Sequence, residues 1–138
     1  MNAEFVDTNV LVYAHDTSAG AKREVAAELL GRLFDSGAGR LSMQVLIEFY
    51  VTATSKLPRT LGRRAARSIV EDFGTWPVFR PAVEDLLEAA MIAERYDIAM
   101  WDALIVRAAE AMGAELIWSE DLNHGQDYRG VEVRNPFR

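Results

Sequence analysis

An α/β architecture, with a mainly parallel central sheet covered by helices in a three-layer α/β/α sandwich, follows from three features of the sequence. Short apolar runs that read as buried strands alternate with longer stretches whose apolar residues recur at helical spacing. Strands joined through helices of that length pair in parallel, and parallel sheets need cover on both faces. The 138 residues, 50% of them hydrophobic, suffice for one compact core and leave no room for a second of similar size. Residues 1–138 are therefore expected to form a single domain.

Glu4-Phe5-Val6 is apolar and bounded by Asp7-Thr8-Asn9, as expected of a buried strand ending at the aspartate. Thr17-Ser18 offers an N-cap, after which Val25, Leu29, Leu30, Leu33 and Phe34 mark a helix that breaks at Ser36-Gly37. Arg40-Leu41-Ser42 is a short strand. Val45, Leu46, Phe49 and Tyr50 form a second helical stripe that stops before Pro58, with Glu48 beside it. A third helix is expected over about Leu61 to Phe73, then an extended segment, Trp76 to Phe79, that Pro77 places at a sheet edge. A longer helix follows over Val83 to Arg95. The helix that opens at Trp101-Asp102 runs to Met112 and ends at Gly113, leaving Asp102 near its N-terminus. Leu116-Ile117-Trp118 is a buried strand, Ser119 to Gly125 a turn-rich loop, and Val131-Glu132-Val133 a last strand.

Composition removes several classes of protein. With no cysteine there is neither a disulfide framework nor a thiolate zinc site, and a reduced cytosol fits. The start, Met1-Asn2-Ala3-Glu4, has no basic segment, and the apolar run behind it is broken by Asp7 and Asn9. Neither a signal peptide nor a membrane span is expected. A net charge of −6 argues against broad coating of nucleic acid and leaves a local basic patch possible.

The chemistry lies in acidic residues. Ligands of such sheets bind beyond the carboxyl ends of the strands, where Asp7 and Asp121 open, and the fold can aim Glu48 and Asp102 at the same edge. Two like charges about 4 Å apart repel by about 4 kcal/mol at an effective dielectric near 20, so a carboxylate cluster takes up protons or holds a cation. Oxygen-only ligation suits Mg²⁺ or Mn²⁺; zinc is the weaker choice where the only histidines are His15 and His124. A metal of this kind makes a bound water more acidic beside a phosphodiester, so hydrolysis of that bond is the reaction class expected. Each residue also has a plainer reading. Asp7 can close an Asx turn, Asp102 can serve a helix dipole, Glu48 can be a solvated helix residue, and Glu120 and Asp121 can be ordinary loop residues. Trp101 and Trp118 are read as core packing in preference to base-stacking platforms, and His124 as a loop residue.

Val6-Asp7-Thr8-Asn9-Val10-Leu11-Val12-Tyr13, Leu46-Ile47-Glu48-Phe49, Trp101-Asp102-Ala103-Leu104-Ile105 and Trp118-Ser119-Glu120-Asp121-Leu122 resemble, in order, the four acidic motifs of the PIN-domain nucleases. More narrowly, the chain resembles the VapC-type toxins of prokaryotic toxin–antitoxin pairs, and its closing Val131 to Phe137 is similar to that group as well. The resemblance implies a PIN-like fold, Mg²⁺ or Mn²⁺ dependence, cleavage of RNA, a homodimer and a cognate antitoxin. By position it assigns metal binding to Asp7, Glu48, Asp102 and Asp121, and polar support of the first to Thr8 and Asn9. Many relatives carry a further acid two positions after the last aspartate, where this chain has Asn123; its carbonyl can ligate but adds no charge. Whether Glu120 replaces Asp121 at the metal is open, although Ser119, two residues earlier, favours Asp121.

RNA needs positive charge, and residues 56–67 hold Lys56, Arg59, Arg63, Arg64 and Arg67 with no acid among them. That stretch contributes +5 to a chain of −6 and leaves the remainder at −11. It reads equally as a phosphate grip and as a solvated or dimer-forming helix face. Other functions were weighed. A phosphotransfer protein of the haloacid-dehalogenase type needs a second aspartate where Asn9 stands, and a response regulator needs a late lysine, whereas the lysines are Lys22 and Lys56. A housekeeping RNA-processing nuclease and a silent PIN-like binding module remain as alternatives. The stripes of Leu29, Leu30, Leu33, Phe49 and Tyr50 are read either as core or as a groove for an antitoxin.

Overall fold

The computed structural model describes residues 2–138. Along them run β1 (Glu4–Val6), α1 (Thr8–Ala14), α2 (Ala21–Ser36), β2 (Gly39–Ser42), α3 (Met43–Ser55) and α4 (Arg63–Phe73). Then come β3 (Val78–Phe79), α5 (Val83–Tyr96), α6 (Met100–Ala111), β4 (Leu116–Trp118), β5 (Asp127–Tyr128) and β6 (Val131–Arg134). The sheet order is β3-β2-β1-β4-β6-β5, parallel throughout except for β5 against β6. Helix α1 packs on α2 and α3, and α3 on α4, while α5 pairs with α6, so two groups of helices sandwich the sheet as expected.

The order of the strands fixes where a ligand binds. From β1 the chain moves to β2 and β3 on one side, then returns through α5 and α6 to place β4 on the other side of β1. The crevice outside the carboxyl ends of β1 and β4 is therefore the switch point of the sheet. Register brings the two ends level: Val6 pairs with Trp118, and the Asp7 N–H donates to the Trp118 carbonyl at 3.0 Å. Phe5, Val6 and Ile117 are fully buried in this central pair, which makes the platform rigid.

Several elements depart from expectation for local reasons. Helix α1 was not anticipated, because its apolar stripe fills only two turns and follows the strand with no linker. Helix α2 begins at Ala21 and not at Thr17-Ser18, since the Asp16 carboxylate accepts from the Ser18 N–H and hydroxyl at 2.9 and 2.6 Å and forms a turn there. Its end is as expected, with Gly37 left-handed at φ 71. β3 lies at the sheet edge, where Pro77 lacks a donor that no partner needs. The two-residue strand β5 has no alternation to reveal it.

Two readings of apolar residues resolve differently. Leu29, Leu33 and Phe49 are buried in the core; Leu30, also buried, borders a hollow with Phe34 and Phe73, and Tyr50 is half-buried beside a groove along α3. Trp101, expected in the core, is 68% exposed. Ile105 and Ala108, on the same side of α6 as Trp101, are buried, so Trp101 is exposed through its place in the first turn, where it borders an open groove with Met43, Gln44 and Ile47. Trp118 is half-buried and donates its indole N–H to Glu4 at 2.8 Å. Among the described residues no helix is long and apolar enough to cross a membrane.

Candidate active site

Four separate segments deliver the acidic residues to the crevice. Asp7 leaves β1 and caps α1, its Oδ1 accepting from the Thr8 N–H at 2.8 Å. Ser119 leaves β4 beside it and donates its hydroxyl to Asp7 Oδ2 at 2.7 Å, while the same oxygen accepts from the N–H groups of Asp121 and Leu122 at 3.1 and 3.2 Å. Asn9, in the first turn of α1, donates its amide to Asp7 Oδ2 at 3.3 Å and to Asp121 Oδ2 at 3.2 Å. Its carbonyl accepts from the Glu120 N–H at 3.1 Å, which fixes which end of the amide faces the acids. Glu48 comes from α3 and accepts from the Thr8 hydroxyl at 3.4 Å. Thr8, Asn9, Glu48, Thr52, Leu57 and Asp121 line one groove. Asp102 stands in the first turn of α6, which the Gln44 amide ties to α3 by donating to the Trp101 carbonyl at 3.1 Å.

These carboxylates feel one another. Burial pushes the Asp7 carboxyl from 3.8 up to about 6; hydrogen bonds from Ser119 and Thr8 oppose the rise, and the charges of Asp121 and Glu48 add to it. Asp102 is raised by burial and then by the charge of Asp121. A helix N-terminus alone would lower Asp102, so burial and the neighbouring charge outweigh the dipole. Among the described residues no lysine, arginine or histidine forms an ion pair with any of the four. A set of oxygen donors, mutually repelling and without a cationic partner, has the chemistry that a hard divalent cation satisfies. The carboxylates do not close around one point, however: among the described residues no three acidic or histidine side chains are grouped as a metal site.

Other expected residues lie apart from this cluster. The Glu120 carboxylate turns away from the acids, accepting from the Tyr13 hydroxyl at 2.6 Å and from Lys22 Nζ at 2.5 Å. Asn123 is exposed, and its main-chain carbonyl accepts from the Gln126 N–H at 3.1 Å. His124 accepts through Nδ1 from the Asn135 N–H at 3.0 Å, in keeping with a loop role. Lys56, Arg59, Arg63, Arg64 and Arg67 are all exposed, and Leu57 carries the start of their segment into the acidic groove. Arg67 borders a different groove, on the far side of α3, with Met43, Ile47 and Tyr50.

Sequence reasoning missed three contributors. Tyr13 and Lys22 hold Glu120, and no spacing rule links residues so far apart in the chain. Tyr128, on the unanticipated β5, is buried near Asp102; burial raises its hydroxyl, and the Asp102 charge raises it further.

The fold and site define an α/β sheet protein with acidic side chains gathered at its switch point, and the comparisons with known proteins narrow that class. The PIN domain profile matches residues 5–126, and the chain belongs to the PIN domain family. Among solved structures it is similar to a toxin–antitoxin complex from Klebsiella pneumoniae, at 18% identity, covering 98% of each chain with a TM-score of 0.70. It is also similar to VapC20 of Mycobacterium tuberculosis, described as a sarcin–ricin loop cleaving toxin, at 19% identity over 86% of this chain and 90% of that one, with a TM-score of 0.67. DNA-bound VapBC from Salmonella typhimurium matches at 17% identity over 99% of each chain, TM-score 0.67. At these identities the likeness concerns the fold. No curated protein matches the sequence.

Proposed function

We propose that the protein is a divalent-cation-dependent ribonuclease, the toxin of a toxin–antitoxin pair. The observation that carries this reading is the gathering of acids from β1, α3, α6 and the β4 exit at the switch point, with Asp7 and Asp102 raised by burial first and by neighbouring charge second, and no cation of the chain among the described residues paired with them. Membership of the PIN domain family and a fold shared with VapC20 support it.

In this reading Asp7, Glu48, Asp102 and Asp121 hold Mg²⁺ or Mn²⁺. The bound metal supplies a more acidic water and positive charge beside the scissile phosphate. The protein's own residues do the positioning. Ser119, Thr8 and Asn9 hold the Asp7 carboxylate with donors on both oxygens, which favours its charged, ligating form. Asn9 spans Asp7 and Asp121 and keeps them together, and Thr8 does the same for Glu48. Asn123 would bring a neutral carbonyl and no charge where many relatives carry an acid, so a second metal position is weaker. Arg59, Arg63 and Arg64 bind RNA phosphates beyond the acidic crevice, and Arg67 those of a strand that continues past α3, supplying the attraction that a net charge of −6 denies it.

The reading calls for two protein partners, a cognate antitoxin and a second copy of the chain, and places the protein in the cytoplasm. Val83, Leu87 and Met91 form an exposed apolar stripe on α5 of the kind that partners cover. The deciding experiment measures Mn²⁺ uptake and cleavage of single-stranded RNA by the wild type, with and without chelator, and by Asp7→Asn. Cleavage should need the metal and fall by orders of magnitude in the variant. A folded Asp7→Asn protein that cuts RNA at the wild-type rate would refute the assignment. Cleavage by a chain that proves harmless when expressed alone would favour the housekeeping nuclease.

A further inference from the structure

Glu120 sits one residue before Asp121, yet its carboxylate is fully engaged elsewhere. Oε1 accepts from the Tyr13 hydroxyl at 2.6 Å and Oε2 from Lys22 Nζ at 2.5 Å. The Lys22 ammonium also lies over the rings of Tyr13 and Phe137, 4.9 and 5.6 Å from their centroids, and those rings meet edge to face at 5.0 Å. Helices α1 and α2 thus converge on one glutamate of the turn after β4, and Phe137 of the C-terminal tail packs against the Tyr13 and Lys22 side chains that hold it. We propose that Glu120 is a positioning residue, and that the Tyr13–Glu120–Lys22 latch holds the turn after β4 so that Asp121 faces Asp7. This rests on the reading of the crevice as a divalent-cation site.

The path from latch to site is short. The Glu120 N–H donates to Asn9 Oδ1 at 3.1 Å, which leaves the Asn9 amide nitrogen to bridge Asp7 and Asp121. If the turn drifts, Asn9 loses the bond that sets its orientation, and its carbonyl becomes free to face the carboxylates. Beyond the latch the turn is held by Ser119, whose buried hydroxyl accepts from the Asp121 and Leu122 N–H groups, and by the buried Leu122 side chain, whereas the Asp121 side chain is exposed and held by the Asn9 amide. As a source of global stability the latch counts for little, because the Lys22 side chain is 44% exposed and such pairs are screened. That separates positioning from mere structure, since breaking the latch disturbs the metal-binding turn without unfolding the protein.

The test follows Mn²⁺ binding by electron paramagnetic resonance on the full chain, for wild type, Glu120→Ala, Lys22→Met and Lys22→Arg. Loss of a group that orients metal ligands typically weakens binding by about 10- to 100-fold. Glu120→Ala and Lys22→Met are expected to lose affinity in that range with their thermal midpoints nearly unchanged, and Lys22→Arg, which keeps charge and donors, to recover most of it. In the metal-free protein the Asp121 and Leu122 amides should exchange faster in Glu120→Ala, while amides of β6 keep their rates. Equal Mn²⁺ affinity in wild type and Glu120→Ala would overturn the positioning role and leave the cation site standing. If the wild type bound no Mn²⁺, the cation site would fall, and the exchange rates alone would decide whether the latch holds the turn.

Discussion

The Ser119 hydroxyl serves two acids at once: it donates to Asp7 at 2.7 Å while accepting from the N–H of Asp121 at 3.1 Å. The turn that carries Asp121 is consequently pinned to the end of β1. Ser119→Ala removes all of these bonds from a fully buried side chain. The expected loss of stability is about 2 to 3 kcal/mol, the usual cost of leaving buried polar groups unpaired. Urea denaturation measures it, and a loss below about 0.5 kcal/mol would show that water replaces the hydroxyl.

Asp7 makes stability depend on pH in a particular direction. Its carboxyl is raised from 3.8 to about 6 in the folded chain, so the folded state holds the proton more tightly than the unfolded state does. The contribution is fully present below the unfolded value and is lost as pH rises through about 6. Two units correspond to roughly 3 kcal/mol. In chelator, the midpoint of Asp7→Asn minus that of the wild type should be flat below pH 3.8, climb up to about pH 6, and level off above. A constant difference across that range would mean that the folded crevice leaves Asp7 unperturbed. Added Mn²⁺ should raise the wild-type midpoint at neutral pH, and do so much less in the variant.

Arg63 and Arg64 open α4 at the end where the helix dipole is already positive, with no acid in its first turn. This placement costs the helix stability and focuses positive potential outward. Replacing Arg63, Arg64 and Arg67 with alanine should leave the thermal midpoint unchanged or slightly higher while weakening RNA binding. Each lost phosphate contact lowers the salt slope of binding by roughly 0.7 for a single strand. An unchanged slope with a shifted monomer–dimer balance would assign these arginines to an interface.

The antitoxin is expected to place an arginine in the crevice, since a guanidinium pairs with carboxylates in bidentate fashion and a lysine does not. The untagged product of the neighbouring gene should co-purify with the chain. Changing its arginines one by one to alanine should release RNA cleavage at a single position. Failure of any neighbour to bind would remove the toxin from the reading and keep the nuclease.

How much of this was legible in the sequence depends on range. The buried pair β1 and β4 announced itself by apolar runs that stop at polar residues, and with it the place of Asp7 and Ser119. Helix α6 is legible from its Gly113 stop, and Trp101 shares the side of its buried Ile105 and Ala108, but how far neighbouring elements cover the first turn is not written in that spacing, so a residue expected in the core is exposed. Asn9 reads in the sequence as support for Asp7, whereas its bridge to Asp121 spans 112 residues and appears only in three dimensions. The Glu120 latch was invisible for the same reason, and the choice between Glu120 and Asp121 needed side-chain partners to make it.

The switch point also orders events in time. Asp7 leaves the ribosome 112 residues ahead of Ser119. Until β4 slides in beside β1, Asp7 has no Ser119 hydroxyl and no Asp121 across from it, and synthesis proceeds from the N-terminus. A half-made chain tethered to its own messenger and ribosome thus carries one acid of the crevice without its counterpart. The crevice is therefore assembled late in synthesis, when β4 closes on β1.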